Sequence, residues 1–323
     1  MTSNLALASE FNTPTPVTVK ARLRIGLPDV RSDLYYGWDV LESLRVLEDK
    51  SVQCVMTGPP YWRLRSYLNS QNPLKSGELG LESTPEEYVE NLVLVFREVR
   101  RVLKDRGTLW VNLGDTYVKK ELQLIPSKVA DALSKDGWFL RMDNIWRKLD
   151  PMGAGNIKDR TTSAHEHVYM FVKNTEDYAY YKDAISEDTI SDKLRNDKFC
   201  GVKTPKQHRA PGAIYRGGKR KKNCLSVWDF PTSKYKGSHP APFPPELAER
   251  GVLAGSAVGD TVLDCFSGSG TTGLVANYYG RDYIGIDLNQ EYLDEAMVRI
   301  RGLKPWKEKP AGEPEDMSVL DLL

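Results

Sequence analysis

Residues 57–62 read Thr-Gly-Pro-Pro-Tyr-Trp and follow an apolar run, residues 51–56, that is typical of a β-strand. Each proline fixes its own φ at about −65°, lacks an N–H and biases the residue before it toward an extended conformation. The segment is therefore a stiff exit from a strand, and the carbonyls of Gly58 and Pro59 have little local hydrogen bonding to do. Two fixed acceptors followed by the aromatic face of Tyr61 suit a planar ring with an exocyclic amino group. A rigid turn without a chemical role would carry the same residues.

A second segment with chemical potential lies near the C-terminal end. Residues 261–276 predict a short buried strand, a Gly-rich turn and the start of a helix, and residues 281–287 predict another strand that ends in Asp287. This is the doubly wound nucleotide-binding arrangement, in which an acidic residue at the end of the second strand binds a ribose hydroxyl. The turn is not a hydride-cofactor fingerprint, because a third glycine is missing at the required spacing. It is not a phosphate loop, because no lysine follows the glycines.

Regular elements between these segments can position them. The sequence Thr84-Pro-Glu-Glu87 is a capping box with proline at the first helical position, and it predicts a helix that runs to about Lys104. Further helices are predicted from Pro126 to about Lys135, from Glu246 to about Ala254 and from Glu291 to about Arg301, and a strand over residues 138–146. Alternating strands and helices predict an α/β fold with a mostly parallel, doubly wound sheet.

Composition is consistent with such a domain and excludes few functions. The chain has 323 residues, of which 40% are apolar, enough for a sizeable core. It contains no run of about 18 apolar residues and no recognisable signal peptide, so we expect no membrane association. The cysteines at 54, 200, 224 and 265 form no metal-type pair, which predicts a reduced, cytoplasmic protein without a metal site. We expect Cys54 and Cys265 to be core residues.

The net charge of +1 does not indicate a nucleic-acid partner, but the distribution of charge does. Residues 193–222 carry eleven lysines and arginines against Asp197 alone, and glycines and prolines disfavour a regular helix there. Such a loop-rich basic stretch suits the DNA phosphate backbone, although a solvated linker would have the same composition. The predicted DNA-binding residues are Arg195, Lys203, Lys206, Arg209, Arg216, Lys219, Arg220, Lys221 and Lys222.

Taken together, the two chemical segments resemble the S-adenosylmethionine-dependent amino-methyltransferases of DNA in restriction–modification systems, and their order resembles the beta class of that family. Three further stretches carry the resemblance: residues 108–114, residues 165–173 and His239-Pro-Ala-Pro-Phe-Pro244. The resemblance covers roughly residues 33–175 and 225–302. It implies an irregular N-terminal arm (1–32), a catalytic half (33–175), a loop-rich target-recognition region (176–230), a cofactor-binding half (231–302) and an irregular C-terminal tail (303–323).

The resemblance also implies roles for individual residues. The catalytic segment would be Thr57, Gly58, Pro59, Pro60 and Tyr61. Tyr61 is the candidate for stacking on a flipped-out base. Tyr169 or Phe171 is a candidate for the opposite wall, although ordinary strand packing would explain both residues equally well. The cofactor S-adenosylmethionine would contact Asp264, Phe266, Ser267, Gly268, Ser269, Gly270 and Thr271, with Asp287 on its ribose and Pro242 and Phe243 beside it. The implied partners are double-stranded DNA and a cognate restriction endonuclease that acts separately, and the protein would be a monomer or a homodimer.

The choice of target base rests on residues 57 and 58. Adenine-N6 enzymes of the family mostly carry aspartate at one of these positions, whereas N4-cytosine enzymes favour Ser-Pro-Pro-Tyr. Thr57 and the absence of aspartate favour N4-cytosine, although Gly58 lacks the usual serine hydroxyl. Adenine-N6 methylation is the alternative, followed by a non-catalytic DNA-binding protein. Carbon-5 cytosine methylation is excluded, because it needs a cysteine nucleophile on a Pro-Cys segment and the chain has no Pro-Cys dipeptide.

Overall fold

The computed structural model describes residues 14–21, 29–151, 157–188, 221–233, 235, 237 and 242–302. Its strands are β1 (Val17–Ala21), β2 (Val30–Tyr36), β3 (Val52–Thr57), β4 (Leu103–Leu113), β5 (Tyr117–Val118), β6 (Glu121–Leu122), β7 (Phe139–Lys148), β8 (His165–Val172), β9 (Glu187–Asp188), β10 (Lys221–Lys222), β11 (Val227–Phe230), β12 (Thr261–Asp264) and β13 (Asp282–Asp287). Its α-helices are α1 (Val40–Arg45), α2 (Pro85–Val102), α3 (Ile125–Lys135), α4 (Pro245–Gly255), α5 (Thr271–Tyr278) and α6 (Tyr292–Gly302), and 3₁₀ turns lie at Pro73–Gly77 and Lys182–Ile185.

Nine of these strands form one sheet in the order β1-β2-β13-β12-β3-β4-β8-β7-β11. Strands β2, β13, β12, β3 and β4 run parallel to one another, β8 runs antiparallel between β4 and β7, and β1 runs antiparallel at one edge. The mostly parallel α/β fold is therefore confirmed. Strands β5, β6, β9 and β10 form two separate two-stranded ladders.

The sheet is covered by helices on both faces. Helices α1, α2 and α3 pack on one face around Leu44, Phe96 and Val129, whereas α4, α5 and α6 pack on the other around Val252 and Val275. Every residue of β3 is buried, as expected for a central parallel strand. Helix α2 connects β3 to β4 and α5 connects β12 to β13, so the connections leave the adjacent strands β3 and β12 toward opposite faces. This topological switch point leaves a crevice at the carboxyl ends of the two strands.

The capping box forms as predicted and fixes the start of α2. The Thr84 hydroxyl accepts a hydrogen bond from the Glu87 N–H, and the Glu87 carboxylate accepts one from the Thr84 N–H. The helix ends at Val102 rather than near Lys104, because Leu103 already pairs with Val52 of β3 and begins β4. The other predicted helices and strands are present, with ends that differ by no more than two residues.

The irregular N-terminal arm predicted over residues 1–32 is wrong in part, because Val17–Ala21 is an edge strand paired with β2, which itself begins at Val30. The tail predicted after residue 302 lies outside the described residues. Cys54 and Cys265 are buried in the core, as predicted. No helix in the described ranges has both the length and the apolar character that crossing a bilayer requires.

Candidate active site

One cavity of about 360 Å³ follows the carboxyl edge of the sheet across the switch point. It is lined both by the catalytic segment after β3 and by the Gly-rich turn after β12, so the two segments identified in the sequence meet in one site. The predicted residues that line it are Gly58, Pro59, Pro60, Tyr61, Pro242, Phe243, Asp264, Phe266, Ser267, Ser269, Thr271 and Asp287.

The Pro-Pro-Tyr segment is anchored on both sides of its prolines. The carbonyl of Pro60 accepts a hydrogen bond of 2.8 Å from the Tyr88 hydroxyl on α2. The next residue but one, Trp62, is only 3% exposed and donates its indole N–H to the carbonyl of Glu82 at 3.0 Å. Because the Pro60 carbonyl is hydrogen-bonded to α2, the carbonyls of Gly58 and Pro59 are the ones in this segment that can accept a hydrogen bond from a ligand in the cavity.

A polar network fixes the ring of Tyr61. Its hydroxyl donates to Glu166 Oε2 at 2.6 Å and accepts from Asn112 Nδ2 at 2.7 Å, while Lys148 Nζ lies 2.5 Å from Glu166 Oε1. Burial, and then the charge of Glu166, raise the pKa of Tyr61 well above its ordinary value, so the hydroxyl remains a donor. The ring lies so close to Gly114 that a Cβ there would be 2.6 Å from it.

Tyr169 and Phe171 do not form an opposite wall of the cavity, and ordinary strand packing, the alternative for both residues, is confirmed. Side chains alternate between the two faces of β8, and these aromatic rings pack in a row with Trp138 on the α3 side of the sheet. Glu166 lies on the alternate register and lines the cavity instead. The strand that the sequence associated with the base pocket therefore contributes a carboxylate rather than an aromatic ring.

The side chain of Thr57 is fully buried and is not among the residues that line the cavity. Its hydroxyl donates to Asp264 Oδ1 at 2.6 Å, and Thr272 donates to Asp264 Oδ2 at 2.8 Å. Burial raises the pKa of Asp264 to about 6, and these two hydrogen bonds oppose that rise. Thr57 therefore ties the catalytic segment to the end of the cofactor strand, which corrects its placement among residues that face the substrate.

The Gly-rich turn is shaped by its glycines and held by residues from other elements. Gly268 and Gly270 have φ values of +49° and +75°, a region that disfavours any residue with a Cβ. Beneath the turn, Ser267 Oγ hydrogen-bonds the hydroxyls of Tyr36 and Tyr283 at 2.9 and 2.8 Å. Ser267, Ser269 and Thr271 line the cavity, but the two glycines do not. The glycines therefore contribute to the site through the backbone conformation of the turn.

Arg299 of α6 holds the far side of the same turn. Its guanidinium donates to the Ser269 carbonyl at 2.9 Å, to the Ser269 hydroxyl at 2.6 Å and to the Thr271 hydroxyl at 3.1 Å. The side-chain oxygens of Ser267, Ser269 and Thr271 are thus engaged with the protein. Their contribution to a bound ligand would come mainly from positioning the backbone of the turn.

Asp287 lies half-buried at the end of β13 and lines the cavity beside the turn. Its carboxylate accepts the Gly268 N–H at 2.6 Å and the Asn289 N–H at 2.8 Å. Burial raises the pKa of Asp287 to about 7, and the two backbone hydrogen bonds oppose the rise. A carboxylate has more acceptor sites than these two bonds use, so it can also accept from a hydroxyl pair of a ligand.

Most of the predicted DNA-binding residues lie outside the described residues, as does His239. The exceptions are Lys221 and Lys222, which form β10 and pair with β9. Lys222 Nζ lies 3.4 Å from Glu187, which also contacts Arg250. The proposed contact of this basic stretch with DNA therefore stays a prediction. In the described parts of the chain, no group of three or more His, Cys, Asp and Glu side chains could hold a metal ion.

Asn112, Lys148 and Glu166 line the cavity together and were not predicted from the sequence. Asn112 is 2% exposed, and its Oδ1 has no hydrogen-bond partner among the described residues. The period-two alternation of β8 separates Glu166 from Tyr169 and Phe171, which was a signal that these side chains face opposite sides. No local pattern indicated Lys148, because its contact with Glu166 depends on the pairing of β7 with β8.

The fold and the site together define an α/β methyltransferase in which a cofactor turn and a Pro-Pro-Tyr segment share one cavity. The family described as DNA methylase matches residues 52–298, and the chain belongs to this family, the beta-class N4/N6 DNA methyltransferases of restriction–modification systems. It is accordingly a site-specific DNA methyltransferase.

Similar curated proteins include three that span most of this chain. The type II methyltransferase M.Cfr9I of Citrobacter freundii is 34% identical over 89% of this chain and 94% of its own length. The type II methyltransferase M.SmaI of Serratia marcescens is 35% identical over 81% and 88%. The DNA adenine methyltransferase YhdJ of Escherichia coli K12 is 29% identical over 81% and 80%.

Solved structures show the same architecture. The PvuII DNA methyltransferase, described as cytosine-N4-specific, has a TM-score of 0.61 at 22% identity and covers 90% of each chain, which supports the fold alone. The TTHA0409 protein of Thermus thermophilus in complex with S-adenosyl-L-methionine has a TM-score of 0.54 at 27% identity, over 83% of this chain and 96% of that one.

Proposed function

We propose that the protein transfers a methyl group to the N4 amino group of a cytosine that is flipped out of double-stranded DNA. The methyl donor is S-adenosylmethionine. The observation that carries the proposal is the single cavity in which Gly58 and Pro59 lie beside the Gly-rich turn and Asp287.

The residues at the β13 end of the cavity fit this cofactor. The half-buried carboxylate of Asp287 suits the ribose hydroxyl pair, and the Phe266, Phe243 and Leu288 side chains offer apolar contact to an adenine ring. The backbone of the Ser267–Thr271 turn can approach the methionine portion closely because its glycines carry no side chain. The bound cofactor supplies a sulfonium methyl group, which is already a good electrophile, so the protein mainly supplies position and acceptor groups.

The residues at the other end of the cavity fit an amino-bearing base. The lone pair of an exocyclic amino nitrogen is delocalised into the ring, so the nitrogen is a poor nucleophile until acceptors take its protons out of the ring plane. The carbonyls of Gly58 and Pro59 can accept these protons. In the transfer, the nitrogen–carbon bond forms as the carbon–sulfur bond breaks, and the nitrogen then releases one proton to solvent.

Cytosine is preferred over adenine because neither residue 57 nor residue 58 provides a carboxylate. The hydroxyl of Thr57 is committed to Asp264, so the acceptors left at this segment are backbone carbonyls. A Cβ at Gly58 would lie 3.5 Å from the ring of Phe243, which is an ordinary van der Waals contact. A steric clash with Phe243 therefore does not explain the glycine at this position. Adenine-N6 methylation is the second candidate, since the relative YhdJ is a DNA adenine methyltransferase and shares most of the chain.

The test is a nucleoside analysis of modified DNA. Purified protein is incubated with labelled S-adenosylmethionine and mixed-sequence duplex DNA, and the DNA is digested to nucleosides and separated. We expect label in N4-methylcytosine. Label in N6-methyladenine alone would establish the second candidate, and no label in any nucleoside would contradict the proposal. Sequencing of the product with base-resolved methylation detection would give the recognition sequence.

A further inference from the structure

A tight turn directly after the catalytic segment presents an exposed leucine at the rim of the cavity. The Leu64 N–H donates to the Tyr61 carbonyl at 3.2 Å, which closes the turn. Arg63 takes a φ of +54° within it, a conformation that residues with a side chain adopt rarely. The Arg63 N–H donates to the Gly80 carbonyl at 2.7 Å, so the loop that returns from the 3₁₀ turn holds this conformation.

The turn separates two large apolar side chains. Trp62 points into the core and is 3% exposed, whereas Leu64 is 50% exposed and lines the cavity that Tyr61 and Gly58 also line. An exposed leucine is common on protein surfaces and needs no explanation alone. Here, however, the disfavoured φ at Arg63 and the two backbone hydrogen bonds hold the leucine out at the mouth of a site for a flipped base. Strained turns that persist are found preferentially at functional sites.

Cationic side chains flank the leucine on both sides. Arg63 is exposed, with its guanidinium carbon 5.6 Å from the centroid of the Trp62 ring, and this contact restricts where the guanidinium can lie. Arg65 is half-buried and lines the cavity beside Tyr67. An apolar residue between two arginines matches the chemistry of a nucleotide gap, where an apolar stack lies between two phosphates.

We propose that Leu64 enters the space that the target base leaves in the duplex, while Arg63 and Arg65 contact the phosphates on either side of that space. The inference rests on the proposed function, because a gap exists only if a base is flipped into the cavity. Extrusion of a base costs its stacking and pairing energy, and an apolar side chain that fills the gap recovers part of that cost. The turn brings this side chain within three residues of Tyr61, so one rigid segment would serve both the flipped base and its vacated position.

The test compares Leu64→Ala with a matched control, Leu94→Ala. Leu94 is 46% exposed on α2 and is not among the residues that line the cavity, so the control removes the same atoms from a similarly exposed site elsewhere. Single-turnover methylation is measured on a duplex that contains the recognition sequence. It is also measured on the same duplex with an abasic site opposite the target base, where the base is already unpaired and easier to extrude. S-adenosylmethionine binding verifies that both variants are folded.

We expect Leu64→Ala to slow methylation of the intact duplex by about 10- to 100-fold and to come within about threefold of wild type on the abasic duplex. Leu94→Ala should match wild type on both. Equal slowing of Leu64→Ala on both duplexes, or no slowing on either, would overturn the proposal. If the wild type methylates neither duplex, the proposed function itself fails, and this inference falls with it.

A second variant tests the phosphate contacts independently. In Arg63→Gln/Arg65→Gln, the slope of log binding constant against log salt concentration should become shallower by about 2, because two phosphate contacts would be lost. An unchanged slope would overturn the assignment of the arginines.

Discussion

The replacement Glu166→Ala tests whether a buried polar network holds Tyr61 in its working position. The carboxylate accepts hydrogen bonds from Tyr61, Asn112 and Lys148, and its side chain is 10% exposed. Removing one partner of a buried ion pair costs about 3–5 kcal/mol. Since 23% of the Lys148 side chain remains exposed, water can solvate part of the orphaned ammonium, and we expect a loss of about 2 kcal/mol in the free energy of unfolding. A typical domain tolerates a loss of this size without unfolding.

The larger effect should be on catalysis. Without Glu166 the Tyr61 hydroxyl loses its acceptor, so the polar end of the ring that would stack on the base is no longer fixed. A misplacement of about 1 Å at a reacting centre can cost about 100-fold in rate, so kcat/KM for DNA should fall by that order. The dissociation constant for S-adenosylmethionine should change little, because the network lies at the opposite end of the cavity from Asp287.

The assay combines steady-state methylation, cofactor binding by calorimetry and urea unfolding. Glu98→Ala is the matched control, since Glu98 forms an ion pair of 2.9 Å with Arg101 on α2, outside the cavity. It should leave kcat/KM unchanged. The view that this network orients Tyr61 for the base would be refuted if Glu166→Ala had the kcat/KM of wild type. It would also be refuted if the affinity for S-adenosylmethionine fell by the same factor as kcat/KM.

Three further predictions concern the cofactor side and the basic stretch. Thr57→Val should lower the free energy of unfolding in urea by about 1–3 kcal/mol and raise the pKa of Asp264 further, because a buried hydrogen bond is lost. Thr57→Ser keeps the hydroxyl and should leave the pKa of Asp264 unchanged in an NMR titration. S-adenosylmethionine affinity should rise as pH increases through about 7, since only ionised Asp287 is a full acceptor for ribose hydroxyls. The stability of the ligand-free protein should change in the opposite direction. Because the pKa of Asp287 is higher in the folded protein than the ordinary value of 3.8, this group stabilises the fold below pH 3.8 and loses that contribution as pH rises through about 7. Asp287→Asn should weaken binding and remove its pH dependence in calorimetry, and a pH profile equal to wild type would contradict the assignment. Neutral replacement of residues 219–222 should make the salt dependence of DNA binding shallower. An unchanged slope would indicate that this basic stretch is a solvated linker that does not contact DNA.

The parts of the fold and site that depend on local sequence were predictable. The capping box of α2 and the strand–turn–helix unit around Gly268 and Gly270 are set by residues close in the chain, and the structure contains both. The convergence of the Pro-Pro-Tyr segment with Asp287 also followed, because the carboxyl ends of parallel strands share one edge of the sheet.

What could not be predicted depends on pairing between distant strands. The direction of the Thr57 side chain follows from the register that sets Val55 beside Leu263, and no local pattern encodes it. The face of β8 that meets the cavity is likewise decided by its neighbours, which is why the sequence left two roles open for Tyr169 and Phe171 and why Glu166 was not predicted. The edge strand Val17–Ala21 exists through its pairing with β2 rather than through a strong pattern of its own.

In the proposed reaction, one cavity brings the amino group of a flipped cytosine to the carbonyls of Gly58 and Pro59, facing the methyl donor. The most direct measurement is a crystal structure of the protein with S-adenosylhomocysteine and a duplex that contains its recognition sequence. We expect the target cytosine outside the helix, with N4 about 3 Å from both carbonyl oxygens and its ring against Tyr61. A target base that stays stacked in the duplex, or an extruded base whose amino group faces away from these carbonyls, would contradict it.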